Sequence, residues 1–129
     1  MSQAAAVQSQ LTIDNEHLVQ LGLADALLEA VRGGRLQEEI SGLLEQFIEY
    51  SELHFSSEQQ LMRLHAYPDY AEHAADHDAM LERMRAVRGD RAAALVASAE
   101  RLRGELIGHI RNRDAALHAH LARLAGNVN

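Results

Sequence analysis

The chain has 129 residues, a formal net charge of −7, 47% hydrophobic residues but only 4% aromatics, one proline and no cysteine. That length suits one domain with a mostly aliphatic core. The acidic balance and the absence of a basic stripe argue against a nucleic-acid partner, and the lack of cysteine excludes disulfides, thiolate zinc sites and iron–sulfur clusters.

The opening MSQAAAVQSQ is small and polar. It has neither the positive nor the apolar region of a signal peptide, and residues 1–12 read as a loose arm. Asp14 is a good N-cap for a first helix from about Asn15, with Leu21, Ala24, Leu28 and Val31 on one stripe and Gly33-Gly34 at its end. A second helix runs from about Arg35 to about His65, with Ile40, Leu43, Leu44, Phe47, Leu61 and Met62 inward. Pro68 stops it, and Tyr67 before the proline is biased towards extended backbone. Asp69 caps a third helix reaching about Arg88, buried through Met80, Leu81, Met84 and Val87. After Gly89-Asp90 a fourth helix runs from about Arg91 to about Leu124, with Leu95, Leu102, Leu106, Ile110, Leu117 and Leu121 inward. No strand pattern occurs. Four helices with three short connections predict an all-α, antiparallel up-down-up-down four-helix bundle spanning residues 1–129 as a single domain. No apolar run approaches the roughly 20 residues of a membrane span, so a cytoplasmic protein without membrane contact is expected.

The eight histidines are the anomaly. The second helix's apolar stripe passes through His54 and Glu58, the third through His73 and His77, the fourth through His109, and the first through His17. One histidine on a core stripe is ordinary; five on four helices need a common partner, because buried ionisable groups are normally paired or bound to metal. At ~1.5 Å rise per residue the antiparallel arrangement brings these positions into one layer. The pairs His54/Glu58 and His73/His77 stand at i, i+4, the chelating spacing. Asp114 follows His109 by five residues and is turned away from it on an ideal helix, so it needs a longer reach or a distorted turn. Five imidazoles and two carboxylates exceed the four ligands of a structural zinc and suit two metals bridged by carboxylates. Iron or manganese fits best, with zinc or copper also compatible. The Glu-x-x-His pairs of ferritin-like centres are missing from the core stripes, and Glu16 and Glu72 precede His17 and His73 on turned-aside positions. His65, His118 and His120 match no ligand position and read as surface residues.

The segment HFSSEQQLM from His54, then Tyr67-Pro68, then HAADH over 73–77, resembles the hemerythrin signature, as do IDNEH ending at His17 and HIRNRD from His109 to Asp114. The likeness covers about residues 11–122 and points to the single-domain bacterial form of that family. The resemblance implies two non-haem irons. His73, His77 and His109 would hold one, His17 and His54 the other, and Glu58 and Asp114, with a solvent-derived oxygen, would bridge them. It implies that dioxygen is taken up reversibly at the two-histidine iron, in a pocket lined by Leu106 and Phe55. Glu105 stands where such relatives carry a tryptophan, and Met80-Leu81 where they carry an aromatic. The expectation is an oxygen-binding monomer that stores, transports or delivers dioxygen and is not an enzyme. An oxygen or redox sensor acting through a separate protein partner, or a di-iron enzyme acting on peroxide or nitric oxide, stand as alternatives.

Overall fold

The computed structural model describes residues 3–126, with side chains from Thr12 onward. The chain forms α1 (Gln3–Arg32), α2 (Gln37–Leu64), α3 (Tyr70–Ala86), a 3-10 turn (Val87–Gly89) and α4 (Ala92–His109). A π-helical segment (Ile110–Asp114) then leads directly into α5 (Ala115–Gly126), and the described residues contain no strand. The architecture is all-helical, consistent with a helical bundle.

The first helix begins much earlier than expected. Residues 3–12 are helical rather than a loose arm, and Asp14 lies inside α1, exposed, instead of capping it. The reason is local: QAAAVQSQL contains three alanines and neither glycine nor proline, so nothing breaks a helix already held further along. At its C-terminus, Gly34 takes φ +64° while the Arg35 N–H reaches back to the Ala30 carbonyl, 3.0 Å, the six-to-one closure that a left-handed glycine permits. The end of α2 repeats this closure with Ala66, a non-glycine at φ 48°. The Tyr67 N–H bonds the Met62 carbonyl at 2.9 Å, and the two side chains pack in the same apolar cluster. The chain therefore reverses at Ala66, two residues before Pro68. Asp69 does flank α3, but its side chain makes no capping hydrogen bond.

Helix α1 packs against α2, α4 and α5, while α2 packs on α3 and α3 on α4. Ion pairs lace the outside: Arg103 with Asp25, Arg85 with Glu52 at 3.0 Å, and Arg88 with Glu45 at 2.6 Å. Inside, the apolar residues separate into two clusters. The larger includes Leu27, Leu44, Phe47, Ile48, Phe55, Met84 and Leu106; the smaller is Met62, Tyr67, Leu117 and Leu121. Polar side chains occupy the level between them. Of the three histidines expected at the surface only His118 is exposed. His65 and His120 are half-buried, and His120 lies edge-on to Tyr67 with ring centroids 5.1 Å apart.

A helix that runs through Asp14 gains nothing from a capping residue there. Asp14→Ala is expected to leave the thermal unfolding midpoint unchanged or raise it slightly, because alanine is the better interior residue. Loss of about 1 kcal/mol in denaturant unfolding, the usual consequence of removing an N-cap, would place the helix start back at Asp14.

Candidate metal centre

Seven ionisable side chains meet at the polar level: His17 from α1, His54 and Glu58 from α2, His73 and His77 from α3, His109 from the end of α4, and Asp114 from the end of the π segment. All except His17 are buried, and the His17 side chain keeps only 12% exposure. The i, i+4 pairs arrive together because their helices are regular. His109 and Asp114 do not share a face of an α-helix, where five residues turn by about 140°. The π segment between them supplies the missing alignment. Its wider i→i+5 turn absorbs one extra residue, so the Asp114 Oδ1 comes back to 3.0 Å from the His109 Nε2.

The seven side chains fall into two groups, each with ligand atoms within 4.8 Å of one another, and both groups contain Glu58 and Asp114. The carboxylates divide their oxygens between the groups. Glu58 Oε1 lies 2.7 Å from His73 Nε2 and 2.9 Å from His77 Nε2, whereas its Oε2 lies 3.4 Å from His54 Nε2 and 3.7 Å from His17 Nε2. Asp114 Oδ1 faces His73 and His109, each at 3.0 Å, and its Oδ2 faces His17 Nε2 at 2.9 Å. The arrangement is three histidines on one side, two on the other, and two carboxylates spanning both.

The hydrogen-bond accounting fits cations. In the two-histidine group the facing atoms, His17 Nε2, His54 Nε2, Glu58 Oε2 and Asp114 Oδ2, are all buried and none forms a well-directed hydrogen bond, even though His17 Nε2 stands 2.9 Å from Asp114 Oδ2, a costly state for polar atoms. In the three-histidine group, His77 and His109 bring their Nε2 atoms to 3.1 Å from each other. Both rings commit their Nδ1 hydrogens outward, His77 to the Gln59 Oε1 at 2.9 Å and His109 to the Asp76 carboxylate at 2.6 Å. Unless a proton or a metal ion lies between them, the inward nitrogens present lone pairs to each other. His54 likewise donates from Nδ1, to the Glu16 carboxylate at 2.9 Å. These residues could together hold two metal ions through imidazole and carboxylate ligands.

Electrostatics point the same way. Burial favours the neutral form of Glu58 and Asp114, but the surrounding histidines outweigh it, holding Glu58 well below the usual carboxylate range and Asp114 at about 2. Burial likewise opposes charge on His17 and His73, yet the two carboxylates raise both to about 9. Burial wins at His77, which is pushed below the ordinary histidine value.

Residues 10–123 match the family model described as the hemerythrin HHE cation binding domain. The chain belongs to the hemerythrin family. No curated protein and no solved structure matched it. A cation-binding hemerythrin domain accounts for the convergence of the seven side chains on one level.

Of the residues expected to line an oxygen pocket, Leu106 is fully buried one turn before His109, and Phe55 stacks on the His77 ring, centroids 4.1 Å apart at 8°. Glu105 is half-buried and paired with Arg83 of α3. The open side of the layer is elsewhere. A cleft of about 300 Å³ beside His17 and Asp114 is lined by Ile13, Ile110, Leu117 and Leu121, with Asp14 and His118 also on its wall. The sequence reading set Glu16 aside as turned away and did not single out Gln59 and Asp76, nor the buried Gln20–Ser51 hydrogen bond of 3.0 Å one turn from His17 and His54. A signal was available for the first three: each directly precedes or follows one of the seven converging residues in the chain.

Two outcomes are expected. Near neutral pH, with folded-state pKa values of about 9, His17 and His73 carry protons that entering cations must displace. Loading should therefore release protons into a weakly buffered indicator solution, and affinity should weaken as pH falls. Glu58→Ala removes one oxygen from each group, so elemental analysis should find the metal bound by either group lost.

Proposed function

We propose that the chain is a non-haem di-iron protein that binds dioxygen reversibly, for storage, transport or delivery, and acts as a cytoplasmic monomer. The observation that carries this reading is the unequal division of the ligand set. Two shared carboxylates link a group with three histidines to a group with two, which leaves the two-histidine side short of a ligand and next to a cleft that reaches the layer. The supporting architecture is an antiparallel up-down-up-down bundle. Partner positions rise on one helix as they fall on the next, as in Asp25–Arg103 and His17–Asp114 between α1 and α4 with the π segment that continues it, and Glu52–Arg85 and Gln59–His77 between α2 and α3.

His73, His77 and His109 would hold one iron, His17 and His54 the other, with Glu58 and Asp114 bridging. Iron held in this way supplies the electrons that make dioxygen binding favourable. The chain's own part is to admit a small apolar molecule and keep protons away. Ile13, Ile110, Leu117 and Leu121 give the cleft a mostly apolar wall, while Phe55 and Leu106, buried members of the larger core cluster, cover the layer from that side. Glu105, the acid nearest to the last histidine in sequence, is engaged by Arg83.

The test is to reduce the iron-loaded protein anaerobically, admit oxygen, record the visible spectrum, and then strip the oxygen under argon. Recovery of the reduced spectrum is expected. Irreversible oxidation, with continued consumption of added reductant, would make the protein an enzyme instead. Leu106→Ala should raise the autoxidation rate, because the deleted side chain lets water closer to the layer; an unchanged rate would place the shielding elsewhere.

A further inference from the structure

We propose that Glu16 and Asp76 are positioning residues, one for each metal position, each bracing a ligand histidine on the following helix; the proposal rests on reading the layer as a two-cation centre. Glu16 stands directly before His17 on α1 but bonds His54 Nδ1 on α2. Asp76 stands directly before His77 on α3 but bonds His109 Nδ1 on α4. The first half of the chain and the second thus use the same device: an acid followed by a histidine, whose ring faces the layer while the acid crosses to the neighbour.

The geometry explains why the acid must be adjacent. One residue along an α-helix is a turn of about 100°. A side chain one position before an inward histidine therefore lies at the flank of its helix, against the next helix. The bracing side chains are accordingly less buried than the rings they hold: Glu16 is 25% and Asp76 37% exposed, against 1% for both His54 and His109. A carboxylate can only accept, so each brace forces the proton onto Nδ1 and leaves Nε2 bare towards the layer. It also makes the ring a better electron donor to a metal. Adjacency alone is not sufficient. Glu72 precedes His73 in the same way, yet it lies exposed beside Arg113 at 3.5 Å, and His73 Nδ1 has no hydrogen-bond partner. Each cation group therefore contains one histidine backed by a carboxylate, His54 in one and His109 in the other.

Cobalt(II) titration of the full chain against a competing chelator, followed by visible absorption, tests this. Wild type, Glu16→Gln, Asp76→Asn and Glu72→Gln would be compared. Glu16→Gln should weaken one of two cobalt ions by roughly 10- to 100-fold and Asp76→Asn the other, with Glu72→Gln like wild type. Asp76→Glu should recover part of the loss. With iron bound, Asp76→Asn should raise the midpoint potential and Glu72→Gln should not. Metal-free thermal midpoints, measured alongside, separate a loss of ligand positioning from a loss of folding. Wild type that takes up no cobalt would overturn both the metal reading and this proposal. Normal uptake in wild type with both brace variants matching Glu72→Gln would overturn this proposal alone. A variant that weakened both ions equally would overturn the assignment of one brace to each position.

Discussion

The structure is organised around the burial of two carboxylates among five histidines between two apolar clusters. Taking such groups out of water is expensive, and the cost is recovered only if every charge and lone pair meets an opposite. Within the protein the histidines ionise the carboxylates and the carboxylates hold protons on His17 and His73. That mutual compensation is incomplete. The four facing atoms of the two-histidine group form no well-directed hydrogen bond, and two imidazole nitrogens of the other group face each other at 3.1 Å. Cations resolve both conflicts together, so the same layer that weakens the core becomes a binding site for metal.

The helices bend their own rules to serve that layer. The π turn at 110–114 replaces regular hydrogen bonding for a single turn, and its effect is to bring Asp114 onto the face of His109. Such turns are rare and concentrate at functional sites, because a regular helix is the more favourable backbone. At the end of α2, Ala66 accepts a left-handed conformation that alanine disfavours. The turn it makes sets Tyr67 against Met62, sealing the smaller cluster beneath the layer.

Around the ligands runs a ring of hydrogen bonds donated outward by their Nδ1–H groups to Glu16, Gln59 and Asp76, and outside that the surface ion pairs that tie neighbouring helices. The ring matters because a histidine offers two nitrogens and a site can use only one. Orientation is decided by whichever neighbour holds the other nitrogen. Function on this reading depends on three concentric shells: ligand atoms, the groups that fix their tautomers, and the apolar walls of Phe55, Leu106 and the cleft residues.

Residue spacing by itself determined the helical class, the second to fourth helices to within a few residues, and six of the seven residues that meet. Periodicity reports which side of a helix is buried, and a histidine or carboxylate on that side is conspicuous. It could not decide where α1 begins, because a residue that caps a new helix can also be carried inside an established one, and nothing in residues 3–13 breaks the helix. It flagged Asp114 as misaligned without revealing the π turn, since the cost of that turn is repaid by long-range contacts with His17 and His73 that no local pattern contains. It set Glu16 aside as facing away from the layer, and the structure shows that facing away means facing His54. Direction on a helix is local and legible in sequence. What lies in that direction belongs to another helix, tens of residues distant in the chain, and only the tertiary fold supplies it.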